Sequence, residues 1–491
     1  MLCAVIKGPT YQKAQEQIQQ ASKTADIVEL RLDYFDSLDE EKLIHLKNCS
    51  SIPVIFALRQ VSQGGAYPGT ENERLSTIER LAALNPAFLD IEYSVATDFV
   101  KKLQKKHPQL KIIVSFHDFE KTPSDLNHVL AHLKKIPAAL YKIATMASSS
   151  SDALRQLHFF RNAGTKFISV SMGEAGQFSR VLSPIVGSYL TYGFIEEEQA
   201  TAAGQMSIPF LKDVYRYHSL KPATAIYGLI GDPVDKSLSH ITHNAVMNHF
   251  GIDAVYVKMP VKAEELKEFF PLAKQLEIRG LSVTMPLKEQ LFSLLDHVDS
   301  YARCIGAVNT VLFEEGKLSG YNTDCIGALD AIEEQVSVKD KTLLMIGAGG
   351  AAKAIAYEAV KRGARLIVLN RDPQKAYDLA RQLKCAGAGL DAIAKYQNYD
   401  IIVNATPHEM PIDAKWFIPG TYAMDIKTRP KETPFLINAM KCGCYPIYGY
   451  RMFIYQAVQQ WNLWFQNRYD PKVVKEIIEA KMEVILAESS R

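Results

Sequence analysis

The sequence predicts an α/β chain of two parts: an N-terminal (β/α)8 barrel, followed by a two-lobed unit that includes a Rossmann-type nucleotide lobe. Three observations carry this. Up to about Phe194, eight short β-rich apolar runs alternate with longer segments of helical periodicity and polar caps. The alternation breaks in "YRYHSLKPAT", and a new parallel-sheet unit opens with "AIYGLIGDPVDKSLSH". Farther on, "TLLMIGAGGAAKAIAYEAVKRGARLIVLNR" reads as apolar strand, glycine turn, helix and second apolar strand. With 491 residues the chain is too long for one ordinary core. The expected boundaries are 1–218 for the barrel, 224–331 for a first lobe completed by a helical return over 446–485, and 332–445 for the nucleotide lobe.

Taken in order, the barrel strands are expected in "CAVIKG", "DIVELRLD", "PVIFALR", "AFLDIEY", "KIIVSFHD", "LYKIATM", "KFISVSM" and "SYLTYGF". Segments such as "TYQKAQEQIQQASK" and "SDALRQLHFFRNAG" supply the helices between them. Composition excludes several classes of function. Apolar residues make up 47% and charged residues 22%, the balance of an ordinary globular protein. A net charge of +2 gives no electrostatic reason to expect nucleic acid or a membrane surface as partner. The N-terminus lacks a basic stretch followed by a long apolar one, and no run approaches a membrane span. The 7 cysteines are scattered, which suits a reducing cytoplasm. Cys442 and Cys444 are a close pair without further ligands nearby, so no metal is expected.

In (β/α)8 barrels, chemistry gathers at the C-terminal ends of the strands. The polar residues there are Glu29, Arg31, Arg59, Glu92, His117 and Lys142, with Arg180 after strand seven and Thr201 and Gln205 in "ATAAGQ" after strand eight. Any one of them could be a structural ion pair or a rim residue. Their convergence on one mouth argues for a site. Lys142 has small or apolar neighbours on an interior strand, where burial and nearby arginines favour the neutral amine. A neutral amine attacks a ketone to give an iminium, an electron sink for removing an adjacent proton. His117, one strand earlier, is the proton carrier, and Glu92, a further strand back, would orient it. The arginines would pair with a carboxylate substrate.

The motifs "ELRLD", "FALRQ", "DIEY", "SFHDF", "YKIATMA", "SVSMGEAGQFSR" and "ATAAGQ" together resemble type I 3-dehydroquinate dehydratase. The resemblance implies a Schiff-base barrel that eliminates water from 3-dehydroquinate to give 3-dehydroshikimate. It implies Lys142 as the imine-forming lysine, His117 as general acid–base and Glu92 as its partner. Glu29, Arg31, Arg59, Arg180, Thr201 and Gln205 would form the substrate shell. Thr201 stands where the family often has Ser, and Ala203 where it often has Pro.

In the second part, the turn after the first nucleotide-lobe strand carries Gly347, Ala348, Gly349, Gly350 and Ala351. Glycines there permit the turn and let backbone N–H groups approach a pyrophosphate. The next strand ends in Asn370 and Arg371, where an NAD site usually has an acid. An arginine pairs with a 2′-phosphate, so NADP(H) is the expected cofactor. Upstream, Ser237 and Ser239 lie in a loop suited to a carboxylate, Thr284 and Lys288 flank Pro286, Asn309 ends "GAVN", and Asp324 ends "YNTD". A lysine and an aspartate are a simple proton relay for alcohol–ketone interconversion beside a nicotinamide.

These motifs, with "NATPHEM" and "MFIYQA", resemble shikimate dehydrogenase. The resemblance implies Lys288 and Asp324 as the catalytic pair and Ser237, Ser239, Thr284, Asn309 and Gln456 as substrate ligands. Asn404, Thr406 and Met452 would border the cofactor. The chain departs from the family at His240, where a proline is common, at Glu409 for glycine, and at Thr428 for tyrosine. Together the two resemblances imply consecutive steps of aromatic amino-acid biosynthesis: 3-dehydroquinate to 3-dehydroshikimate, then NADPH-dependent reduction to shikimate. Three other readings remain open on sequence: a catabolic quinate-using fusion, a class I aldolase fused to an unrelated reductase, and a metabolite-sensing regulator on the same fold. The intact Lys142, His117, Lys288 and Asp324, and the absence of a basic helix-turn-helix segment, weigh against the regulator.

Overall fold

The computed structural model describes residues 1–95, 97–164, 166–196 and 202–488. It divides into two units, Met1–Ile226 with Asp253–Glu277, and Tyr227–Ile252 with Ile278–Arg491.

The first unit is built on β1 (Leu2–Ile6), β2 (Ile27–Arg31), β3 (Val54–Ala57), β4 (Phe88–Glu92), β5 (Ile112–Asp118), β6 (Leu140–Met146), β7 (Phe167–Met172) and β8 (Thr191–Phe194). All eight expected strands form, and neighbours pair in parallel in the order β7-β6-β5-β4-β3-β2-β1-β8. The seam lies between β7 and β8, where Tyr189 N–H donates to Phe167 O at 2.8 Å. A short β9 (Met206–Ser207), not expected from sequence, extends the sheet beside β8. The helices are α1 (Tyr11–Ala21), α2 (Glu40–Cys49), α3 (Glu71–Ala83), α4 (Thr97–Lys106), α5 (Leu126–Leu133), α6 (Ser150–Arg161), α7 (Gln177–Leu182) and α8 (Ile208–Asp213). Their starts are chemically marked. Thr10 and Ser149 accept backbone N–H groups at the heads of α1 and α6, and Thr70 and Glu73 form a reciprocal capping box on α3.

Strand side chains alternate, so every second residue faces the interior. At the N-terminal ends these inward residues are apolar: Cys3, Ile27, Ile55, Phe88, Ile113, Leu140, Ile168 and Leu190 pack into one cluster. Two residues farther along several of the strands the inward position turns polar, giving Glu29, Asp90, Ser115, Lys142 and Tyr192, all buried. A dry floor therefore carries a polar upper layer, and that layer is the floor of the site.

The chain continues through β10 (Ala225–Gly231) and α9 (Ser239–His249) into β11 (Ala254–Pro260) and α10 (Leu266–Gln275). The last two elements cluster with the first unit, held to α6 by Ser150 Oγ donating to Pro260 O at 2.6 Å and by Arg161–Glu277 at 2.5 Å.

The second unit adds β12 (Ile278–Val283), β13 (His297–Val298), α11 (Ser300–Ile305), β14 (Thr310–Glu314), β15 (Lys317–Tyr321) and α12 (Asp324–Glu333). Its first sheet is mixed rather than parallel, because β14 runs antiparallel to both β12 and β15. The reason is local: Glu315 and Gly316 both have positive φ, 50° and 76°, as a two-residue hairpin turn requires. The nucleotide lobe follows as expected: β16 (Thr342–Ile346), α13 (Gly350–Lys361), β17 (Arg365–Asn370), α14 (Pro373–Leu383), β18 (Ala386–Gly389), β19 (Ile401–Asn404), β20 (Tyr422–Asp425), α15 (Pro434–Lys441) and β21 (Tyr445–Tyr448). Its strands are all parallel in the order β18-β17-β16-β19-β20-β21, so the order reverses beside β16, where such sheets bind nucleotides. Alternate strand residues feed two separate clusters, one with Leu343, Met345 and Val403, the other with Leu344, Ile346 and Ile402. Both faces are covered, which explains the unbroken apolar runs. The chain ends in α16 (Gly449–Trp464) and α17 (Pro471–Glu488). The first packs on α12 at Gly327, where a Cβ would come within 2.6 Å of Gln456 N. No helix among the described residues is long and apolar enough to cross a membrane.

Candidate active sites

The polar layer of the first unit lines a pocket that includes Glu29, Arg31, Arg59, His117, Lys142, Arg180 and Gln205. Lys142 comes from the middle of β6 and is 5% exposed. Its Nζ lies 3.0 Å from Asp90 Oδ2 and 3.9 Å from Glu29 Oε2. Register places Ser115 beside Lys142 and His117 two residues nearer the mouth on the adjacent strand. Arg59 Nη1 lies 2.8 Å from both ring nitrogens of His117, and its Nη2 donates to Asp90 at 3.0 Å. Burial, then the positive charges of Arg59 and Lys142, push the His117 imidazole well below its ordinary range. His117 is therefore neutral near pH 7, the form that accepts a proton. Burial alone would raise the Asp90 carboxyl, but Lys142 and Arg59 outweigh it and hold the group ionised.

The sequence assignments divide here. Glu29, Arg59, His117 and Lys142 meet as expected. Glu92 does not join them. It is the last residue of β4, and its carboxylate is taken at 2.7 Å by Arg74 from α3, a residue with no exposed surface. The carboxylate at the lysine is Asp90, which the sequence reading passed over. Arg31 is locked in two hydrogen bonds to Asp33 at 2.9 and 2.7 Å. Arg180 differs from the other arginines: it is 1% exposed and donates to the carbonyls of Gly204, Tyr192 and Ala203, with no carboxylate partner among the described residues. Burial pulls it down to about 10. A buried guanidinium without a counter-ion is a site prepared for an anion. Thr201 lies outside the described residues.

In the second unit, Lys288 Nζ donates to Asp324 Oδ2 at 2.5 Å. Asn309 Nδ2 donates to Asp324 Oδ1 at 2.8 Å, while Asn309 Oδ1 accepts from Thr323 N and Thr310 Oγ1, each at 2.8 Å. The lysine loop is tied to this cluster by Val308 N–H donating to Lys288 O at 2.7 Å. Ser237 and Ser239 hydroxyls pair at 3.0 Å at the head of α9, and Thr284 is fixed by its N–H to Ile230 O at 2.9 Å. Gln456 stands on α16, its amide donating to Phe453 O at 2.9 Å. Gln460, one turn on and not singled out by the sequence, joins the network: it donates to Asn309 O at 3.2 Å and Thr310 Oγ1 at 3.0 Å and accepts from Ser282 at 2.9 Å.

The glycine turn ends β16, and register puts Ile346 beside Asn404 on β19, so Gly347, Ala348, Gly349, Gly350, Ala351 and the Asn404–Thr406 loop share one strand edge. Asn404 organises its loop: its amide donates to His408 O and Asp425, and its oxygen accepts from Thr406 N and Oγ1. Asn370 closes β17, and Arg371 beyond it is exposed. Met452 is buried on α16. A bare glycine turn ahead of α13 and a strand end without an acid fit a phosphorylated dinucleotide.

Comparison with known proteins agrees with the order of the two sites. Residues 2–222 match the family Type I 3-dehydroquinase, 229–311 the shikimate dehydrogenase substrate binding domain, and 330–424 shikimate/quinate 5-dehydrogenase. The shikimate biosynthesis protein AroDE of Chlamydia pneumoniae is 35% identical over 96% of this chain and 97% of its own length. The chain belongs to the bifunctional 3-dehydroquinate dehydratase/shikimate dehydrogenase family. The chloroplastic bifunctional enzyme of Arabidopsis thaliana is 34% identical, covering 94% of this chain and 81% of that protein. A solved shikimate dehydrogenase in complex with NADP+ is 38% identical, with a TM-score of 0.50, over 54% of this chain and 97% of its own.

Within this bifunctional family, the departures noted in the sequence fall at differing depths. His240 is buried in α9. Glu409 is exposed and Thr428 half-buried in the loop after β20.

Proposed function

We propose that the chain catalyses two consecutive shikimate-pathway steps, dehydrating 3-dehydroquinate in the barrel and reducing 3-dehydroshikimate to shikimate in the second unit. The observation that carries the reading is the near full-length likeness to bifunctional enzymes, with a lysine in each half, buried in the first and half-buried in the second, held by a carboxylate. In the barrel, the Lys142 amine attacks the substrate ketone, and water leaves as the imine forms. His117, neutral and beside the cavity, takes the proton from the adjacent ring carbon. Electrons flow into the iminium to give an enamine and then return as the ring C–O bond breaks. The departing hydroxyl takes the proton held by His117 and leaves as water. Hydrolysis then returns free Lys142 and releases 3-dehydroshikimate. Arg180, with no carboxylate partner among the described residues, receives the substrate carboxylate, with Arg31, Arg59, Glu29 and Gln205 around the ring; Thr201 keeps the role its motif implies.

In the second unit, the glycine turn, Arg371, Asn370, the Asn404–Thr406 loop and Met452 would hold NADP(H), which supplies the hydride. Ser237, Ser239, Thr284 and Gln456 orient the acid substrate, and Asn309 fixes Asp324. Lys288 and Asp324 give the carbonyl oxygen its proton as it becomes the alcohol. The domain boundaries belong to the same reading: dehydratase over 1–218, substrate lobe over 224–331 with 446–485, nucleotide lobe over 332–445. So does a cytoplasmic location.

The test is an assay of the purified chain with 3-dehydroquinate and NADPH, following absorbance at 340 nm and identifying the product. NADPH loss with shikimate formed is the expected result. 3-Dehydroshikimate accumulating without NADPH loss would remove the second half of the reading. Borohydride added with 3-dehydroquinate should fix the adduct on Lys142, and a label on another lysine would overturn that role.

A further inference from the structure

One aromatic side chain in the barrel has no role so far. Tyr192 is the inward residue of β8, 4% exposed, and it lines the cavity. Its ring centroid lies 4.4 Å from Lys142 Nζ. Its hydroxyl and the Glu29 carboxylate are buried and face each other, and neither that hydroxyl nor Glu29 Oε2, which lies 3.9 Å from the same nitrogen, has another hydrogen-bond partner among the described residues. A tyrosine that serves only as core has its hydroxyl satisfied or is replaced by phenylalanine. Here two oxygens that have only each other, one able to donate and one able only to accept, stand in the cavity of the nitrogen that meets the ketone.

We propose that Tyr192 is a further catalytic residue of the dehydratase: its hydroxyl donates to a ring hydroxyl of the substrate, whose own hydrogen goes to Glu29, and its aromatic face stabilises the positive nitrogen formed at Lys142. The proposal rests on the reading of Lys142 as the imine-forming lysine. The donor–acceptor pair selects a substrate with a hydroxyl near the ketone, since a ring without it leaves both oxygens with only each other. Burial, and then the charge of Glu29, push the phenol well above its ordinary range, so it remains a donor at working pH. The ring acts at a desolvated cation, where such contacts are strongest.

Two full-length variants separate the parts. Tyr192→Phe keeps the ring and removes the hydroxyl. It should raise the KM for 3-dehydroquinate about tenfold with kcat nearly unchanged. Without substrate it should melt at the same temperature, since the hydroxyl's one partner in the empty site is a poorly aligned Glu29 carboxylate. Tyr192→Leu also removes the π face and should lower kcat by about a further tenfold. Borohydride trapping with peptide mapping accompanies both. Unchanged kinetics in Tyr192→Phe with the adduct still on Lys142 overturns the role of Tyr192 alone. A lower melting temperature matching the loss of activity in Tyr192→Phe also overturns it, because the hydroxyl would then be structural. An adduct on another lysine overturns the Lys142 reading and this proposal with it.

Discussion

Arg371 shows how much a single residue can decide. It stands exposed just past β17, at the strand end where an acid would bind ribose hydroxyls and repel a 2′-phosphate. Arg371→Asp should weaken NADPH far more than NADH, measured as the ratio of their KM values, and an unchanged ratio would mean that specificity lies elsewhere. Single residues were also the most legible level in the sequence. Lys142, His117, Lys288 and Asp324 could be named because each is a chemical type that a buried strand or loop rarely carries without purpose. Glu92 was misread for a physical reason: its partner, Arg74, lies on a helix, and nothing in the strand reveals that a guanidinium folds down onto it. Asp90 was within reach. Stepping two residues back along β4 keeps the same face, and inward polarity at that level matches Glu29 and Lys142 on other strands.

At the level of elements, α16 does more than return the chain. Gln460 joins Ser282, Asn309 and Thr310, and Asn309 in turn holds Asp324. Gln460→Leu should leave the KM for NADPH unchanged and lower the kcat of ketone reduction about tenfold, since Asn309 would lose a fixed partner. Equal effects on both constants would argue for general loosening of the fold. The same helix controls acid stability. Trp461 Nε1 donates at 2.7 Å to His243 Nδ1 on α9, and burial pulls His243 down from 6.5 to about 3. Above pH 6.5 both folded and unfolded chains carry it neutral, so it contributes nothing there. As pH falls from 6.5 toward about 3, the unfolded chain gains a proton that the folded one refuses, and stability is lost. His243→Gln keeps an acceptor for Trp461 and should flatten this slope in urea midpoints measured across that range; parallel slopes would sink the idea. Sequence alone gave α16 its helical period but not its polar seam, because Gln456 and Gln460 share one face and only packing shows which of them is enclosed. The hairpin of β14 and β15 was missed in a similar way: Glu-Gly is a weaker turn signal than Asn-Gly, and the parallel expectation overrode it.

Across the whole molecule, the two chemistries are carried by separate units, each with its own core and its own lysine. Lys142→Ala should abolish dehydration and leave reduction of 3-dehydroshikimate intact, while Lys288→Ala should do the reverse. Loss of both activities from either change, in folded protein, would contradict independent sites. The overall plan was readable because both halves repeat a period: eight strand–helix alternations, then an apolar strand meeting a glycine turn. What no periodicity conveys is that Asp253–Glu277 clusters with the barrel, where Arg161 of α6 pairs with Glu277. Arg180, which has no carboxylate partner among the described residues, has a bearing on the life of the protein in a cell. A guanidinium enclosed without a counter-charge is tolerated at a cost in stability, and any anion that fills its place returns part of that cost in proportion to its concentration. Supply of substrate then governs more than the rate of turnover: a starved enzyme opens more often and is degraded sooner, so its abundance follows the flow of material that reaches it.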